Sequence, residues 1–122
     1  MKNFLLVFLG GGLGSGLRYL IASAMKHYSK VLPIGTFTVN MLGCLLIGLI
    51  LGYAQKENTL TSNQTLLLAT GFCRGFTTFS AFANENLELI KNGEIFNFSV
   101  YTIGSLLIGI LAVLIGFYLT NR

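Results

Sequence analysis

The sequence is short of the groups that do chemistry in water. Its 122 residues include no aspartate, one histidine and two cysteines. Charged residues make up 10% of the chain, against about 25% in an average soluble domain. Hydrophobic residues make up 53%, and the mean hydropathy is +0.73. These shortages exclude an ordinary soluble enzyme and a disordered tail. The net charge of +4 raises nucleic acid as a partner, but the eight basic residues are spread singly and make no patch. His27 lies in a link, so no Ser–His–acid set can be assembled, and the chain is read as not an enzyme. Cys44 and Cys73 lie inside apolar runs and fit no CxxC or Cys/His metal pattern. Packing is their plain reading; a disulfide or a reactive thiol are the alternatives.

What is present is four long apolar stretches, roughly 3–25, 33–54, 64–90 and 95–120. A membrane-spanning helix needs about 20 mostly apolar residues. Backbone polar groups in lipid must be satisfied within the segment, which favours helix. The first stretch is not read as a cleaved signal, because three further spans follow it. The expected fold class is an all-α integral membrane protein, with four transmembrane helices in a single domain over 1–122. Lys26-His27-Tyr28-Ser29-Lys30 joins the first two helices, and Pro33 suits the first turn of the second. Lys56-Glu57-Asn58 through Ser62-Asn63 forms the second link. Lys91-Asn92-Gly93-Glu94 forms the third.

The link charges carry a topological message. Lys2, Lys56 and Arg122 share one side; Lys26, Lys30 and Lys91 share the other. An excess of Lys and Arg orients a membrane protein, and here there is none. Either another cue sets the topology, or copies insert both ways up and pair as an antiparallel dimer. Fifteen glycines add a packing signal. Gly10/Gly14, Gly12/Gly16, Gly48/Gly52 and Gly71/Gly75 stand four apart, which lets helix backbones approach closely in lipid.

Polar groups inside a span are functional candidates. Arg18 is either a snorkelling arginine or a fixed positive charge in an aqueous vestibule. Glu85 and Glu88 lie near the end of the third stretch. The second holds Thr36, Thr38 and Asn40; the Asn40 amide could bond between helices or donate to a passing anion. In the third, Gly71, Gly75, Thr77, Thr78 and Ser80 predict a break near the midplane. Freed carbonyls there could hold a cation. Beyond the break, Phe79, Phe82 and Glu85 recur every three residues and share a face. Such a stripe is usually packing, yet phenyl rings carry a positive edge that can face a small dehydrated anion. Tyr101 and Ser105, four apart on the fourth helix, add hydroxyls. This donor-rich, acid-poor inventory suits an anion path better than a cation path.

These residues resemble the Fluc (CrcB) family of bacterial fluoride channels. The resemblance rests on Gly11-Gly12, Gly14 and Arg18-Tyr19 in the first stretch, and on Gly35-Thr36, Val39-Asn40 and Gly43 in the second. In the third it rests on Gly71-Phe72-Cys73, Gly75, Thr77-Thr78-Phe79-Ser80, Phe82 and Glu85. It covers essentially the whole chain. It implies a multi-pass plasma membrane protein, a dual-topology dimer with two narrow pathways, and passive export of fluoride from the cytoplasm. By position it makes Asn40 the pore amide and Phe79 and Phe82 the pore-lining rings. Glu85, Tyr101 and Ser105 become a polar track, Ser80 a further fluoride-binding group, and Arg18 the vestibule charge. It also implies a structural sodium ion (Na+) on the dimer axis, held by the backbone carbonyls of Arg74 and Thr77.

Arg74 departs from the family pattern, which usually has glycine there. Two guanidinium charges about 4 Å apart near one axis would repel by roughly 4 kcal/mol at an effective dielectric of about 20. Either the side chains turn away within a homodimer, or the chain pairs with a homologous chain and the Arg74 guanidinium replaces the sodium charge. A small multidrug-resistance transporter is the remote rival. It needs a membrane-embedded acid in the first helix, where this chain has Arg18.

Overall fold

The computed structural model describes residues 1–25, 32–56 and 60–121. The first link, Glu57, Asn58 and Thr59 of the second, and Arg122 of the charge tally lie outside the described residues. Among the described residues there are four spans: α1 (Lys2–Met25), α2 (Ile34–Gln55), a composite third span over Ser62–Lys91, and α6 (Ile95–Thr120). The third span comprises α3 (Ser62–Thr65), a π-helix (Leu66–Cys73), α4 (Arg74–Phe76) and α5 (Phe79–Lys91). The described residues are therefore all-helical, with the third helix interrupted where Thr77 and Thr78 predict it.

Local chemistry sets the ends. Pro33 stands one residue before α2, as its N-cap rather than within its first turn, and its carbonyl accepts from Phe37 N–H at 3.1 Å. Thr61 starts α3 with a capping box. Its Oγ1 accepts from Gln64 N–H at 3.1 Å, and Gln64 Oε1 accepts from Thr61 N–H at 3.0 Å. After α5 the chain turns through Gly93 at φ 74, a conformation in which glycine has no Cβ penalty. Gly93 N–H then reaches Ile90 O, and Glu94 N–H reaches Leu89 O.

Glycine contacts build two helix pairs. α1 lies along the π-helix and α4; α2 lies along α6. A Cβ on Gly14 would stand 2.7 Å from Phe76 N, and one on Gly75 would stand 2.6 Å from Gly11 O. Real Cβ atoms do not tolerate such distances. In the other pair, a Cβ on Gly116 would stand 2.7 Å from Leu49 N, and Thr120 Oγ1 donates to Leu49 O at 2.9 Å. The Gly10/Gly14, Gly48/Gly52 and Gly71/Gly75 rows therefore pack within the protomer. Gly12 and Gly16 face open space instead. Few large side chains are fully buried, chiefly Val39, Cys73 and Phe76. Leucine, isoleucine and phenylalanine cover the outer surface, as a lipid solvent allows.

Candidate functional site

The site is organised around the break. The α4 helix ends at Phe76; Thr77 and Thr78 are extended, with ψ of 159° and 124°. Asn40 on α2 holds this segment from both sides. Its Oδ1 accepts from Thr78 N–H at 2.8 Å, and its Nδ2 donates to Thr78 O at 3.1 Å. Of the two readings of Asn40, the structure realises the interhelical bond. An amide NH₂ has two hydrogens, so one donor is left over.

The same bonds release helix carbonyls. In an unbroken helix Thr78 N–H would serve Arg74 O, but it goes to Asn40. Ala81 N–H would serve Thr77 O, but it goes to Thr78 Oγ1 at 3.2 Å, which starts α5. Gly75 O, between them, accepts from Arg18 Nε at 3.2 Å and Ser15 Oγ at 3.3 Å. Arg18 thus ties α1 to the break. Arg74 and Thr77 bear two of the carbonyls that the break withdraws from the ladder, with Gly75 and Phe76 between them, and Arg74 is exposed. Among the described residues, no three His, Cys, Asp or Glu side chains cluster as metal ligands.

A cavity of about 330 Å³ opens beside the break. Asn40, Arg74, Thr77, Phe79, Phe82 and Ser105 all line it. The Ser105 hydroxyl is buried and has no hydrogen-bond partner among the described residues. From Phe79 a line of groups leads along α5. The Phe79 and Phe82 rings lie 5.9 Å apart at 45°, and Phe82 and Tyr101 lie 5.0 Å apart at 47°. The line ends at Glu85, whose Oε1 accepts from Tyr101 OH at 3.0 Å and whose Oε2 accepts from Thr36 Oγ1 at 2.7 Å.

This separates residues that sequence alone grouped. The Tyr101 hydroxyl hydrogen is committed to Glu85, whereas Ser105 keeps a free donor. Ser80 is exposed and lies off the cavity lining, 3.4 Å from Thr78 Oγ1. Phe79 is 78% exposed, so one face of its ring has no cover within the protomer. Thr36 was not placed in the site from sequence, although its four-residue spacing from Asn40 puts both on one face of α2. Asn86, buried and bonded to Thr102 Oγ1 at 3.3 Å, was likewise missed. Its position one residue after Glu85, as Thr102 follows Tyr101, was the available signal.

The family described as CrcB-like protein, Camphor Resistance (CrcB), matches residues 5–117. This chain belongs to the CrcB family. Its CrcB relatives align end to end with it. A protein of Gloeothece citriformis named "Fluoride-specific ion channel FluC" is 49% identical, over 100% of this chain and 99% of its own length. One of Phocaeicola vulgatus with the same name is 46% identical, over 99% of this chain and 100% of its own length. One of Bacteroides fragilis, also so named, is 46% identical, over 100% and 98%.

Proposed function

We propose that this chain is a fluoride-selective ion channel of the plasma membrane, passively exporting fluoride from the cytoplasm. Membership of the CrcB family and the name shared by its full-length relatives support the ion. The observation that carries the pathway is the cavity at the break. It offers a spare Asn40 N–H, a free Ser105 hydroxyl and the rings of Phe79 and Phe82, with no carboxylate in its lining among the described residues. A small anion losing its water needs donors and positive ring edges. The path continues past Tyr101 towards Glu85, whose two oxygens are each occupied by a donor.

The working unit is an antiparallel dimer. The three-to-three charge balance and the uncovered faces at Gly12, Gly16 and Phe79 support it. A structural sodium fits the backbone at the break, because the Arg74 and Thr77 carbonyls are among those withdrawn from the helix ladder. Such an ion would supply positive charge to hold carbonyl dipoles together. Arg18 keeps the neighbouring Gly75 carbonyl occupied. The exposed Arg74 side chain favours a second reading, in which this chain partners a homologous subunit and the guanidinium supplies that charge.

The test is fluoride efflux from liposomes containing only this purified chain, read by a fluoride electrode against a chloride control. Fast fluoride efflux with little chloride is expected, and it would also show that the homodimer suffices. Comparable chloride flux would overturn the selective pathway. No efflux from folded protein alone, with efflux restored by a co-expressed homologue, would establish the heterodimer.

A further inference from the structure

The cavity holds a second chemistry that the anion path does not use. Among the described residues both cysteines are free thiols, and both line it. Met41 lines it too. Met41 and Cys44 stand three residues apart and so share a face of α2. Both reach the gap left by the missing side chain of Gly109. A Cβ there would be 3.5 Å from Met41 Cε and 3.6 Å from Cys44 Sγ. Cys73, on the π-helix, lines the cavity from the third span. Three sulfur-bearing residues from two spans therefore line one cavity of about 330 Å³.

We propose that Met41, Cys44 and Cys73 form a soft-metal site in the cavity wall, taking a monovalent d10 cation of the copper(I) or silver(I) class. The ligand chemistry decides the class. Thiolate and thioether select soft ions, whereas hard divalent ions want carboxylate or carbonyl-rich cages. Among the described residues no carboxylate and no histidine lines this cavity. On binding, each thiol gives its proton to water, the cation bonds to two thiolates, and no electron moves. Two thiolates and one monovalent cation leave one negative charge, and the Arg74 guanidinium on the same lining offsets it. Asn40, Phe79, Phe82 and Ser105 share that lining, so a bound ion obstructs the anion path. This last step rests on the proposed function; the metal site does not.

The probe is silver nitrate in chloride-free buffer, applied to the purified full chain and to fluoride-loaded liposomes containing it. After desalting, the wild-type chain should retain silver at one ion per chain and should have released two protons. The silver concentration that halves fluoride efflux should rise at least about tenfold in Cys44→Ala and in Cys73→Ala, and less in Met41→Leu. If Cys73→Ala fails to fold, capping both thiols of the wild type with methyl methanethiosulfonate should abolish retention. No retained silver, or equal retention after capping, overturns the site. Retained silver with unchanged efflux overturns the obstruction. A chain that retains silver through its thiols but moves no fluoride would upset the proposed function and leave the metal site standing.

Discussion

The two halves of the third span show opposite uses of one helix. Before the break, the π-helix and α4 are pressed against α1 through glycines, with Cys73 and Phe76 among the most buried side chains. After it, α5 packs mainly against α6 and only lightly against α2, and it leaves the Phe79 ring in the open. One half is fixed by backbone approach, where a single methyl is too much. The other is fixed by side-chain bonds at Thr36, Tyr101 and Thr102. The first half is an anchor, and the second carries the polar line. Asn40 sits at the joint and bonds to it from α2.

Mutations can break this contrast, and the largest effect belongs to the anchored half. Gly14→Leu should abolish the folded protein, since overpacking costs about 1–3 kcal/mol even where side chains can yield, and here backbone stands in the way. Gly16→Leu, facing open space, should leave the folded protomer recoverable; size-exclusion profiles in detergent would compare them. Equal loss would mean that both rows pack within the protomer. Next comes the joint. Asn40→Ala leaves the Thr78 N–H and C=O without partners, at about 1–3 kcal/mol for each buried group. It should stop fluoride efflux and lower the thermal midpoint together. A lowered midpoint with normal efflux would remove Asn40 from the path.

Within α5 the expected effect shifts from folding to flux. Phe82→Ile should cut fluoride efflux by roughly tenfold or more, as ring-edge stabilisation of about 1.4 kcal/mol or greater is lost. The protein should stay folded, because volume is nearly kept. Phe72→Ile, in the anchored half, should lower the thermal midpoint with a much smaller change in efflux per folded channel. If both act alike on efflux, the two halves do not differ as described. A smaller contrast separates the hydroxyls. Ser105→Ala should slow efflux more than Tyr101→Phe, because Ser105 has the free donor and Tyr101 gives its hydrogen to Glu85. The reverse order would assign the donor role to Tyr101. The smallest effect is Thr61→Ala. Losing this cap costs about 1 kcal/mol; the thermal midpoint should fall modestly while efflux stays unchanged.

The anchored half and the polar half were not equally legible in the sequence. Apolar run length located all four spans to within about two residues, because lipid thickness imposes it. The break was legible because Thr77 and Thr78 interrupt an apolar run beside Gly75. The Phe79, Phe82 and Glu85 face followed from helical periodicity. Periodicity says which residues share a face but not what the face meets. That is why Arg18, 57 residues from Gly75, could not be placed at the break, nor Thr36 on the Glu85 carboxylate. The π-helix left no signature, as Leu66–Cys73 reads as an ordinary apolar run. Which glycine rows would pack inside the protomer was likewise open, since all share one spacing.

The bond from Arg18 to the Gly75 carbonyl also sets a clock. The ribosome adds roughly 5–20 residues per second, so the 57 residues between the partners take roughly 3–11 s to appear. For that interval the first span sits in the bilayer carrying an arginine whose acceptor has not been made. A charged residue at the centre of a span costs about 2.5–3.5 kcal/mol on insertion scales, and less for Arg18, which lies towards the end of α1. The newborn helix is therefore held by its apolar side chains without that bond. Only when the third span arrives can the bond form.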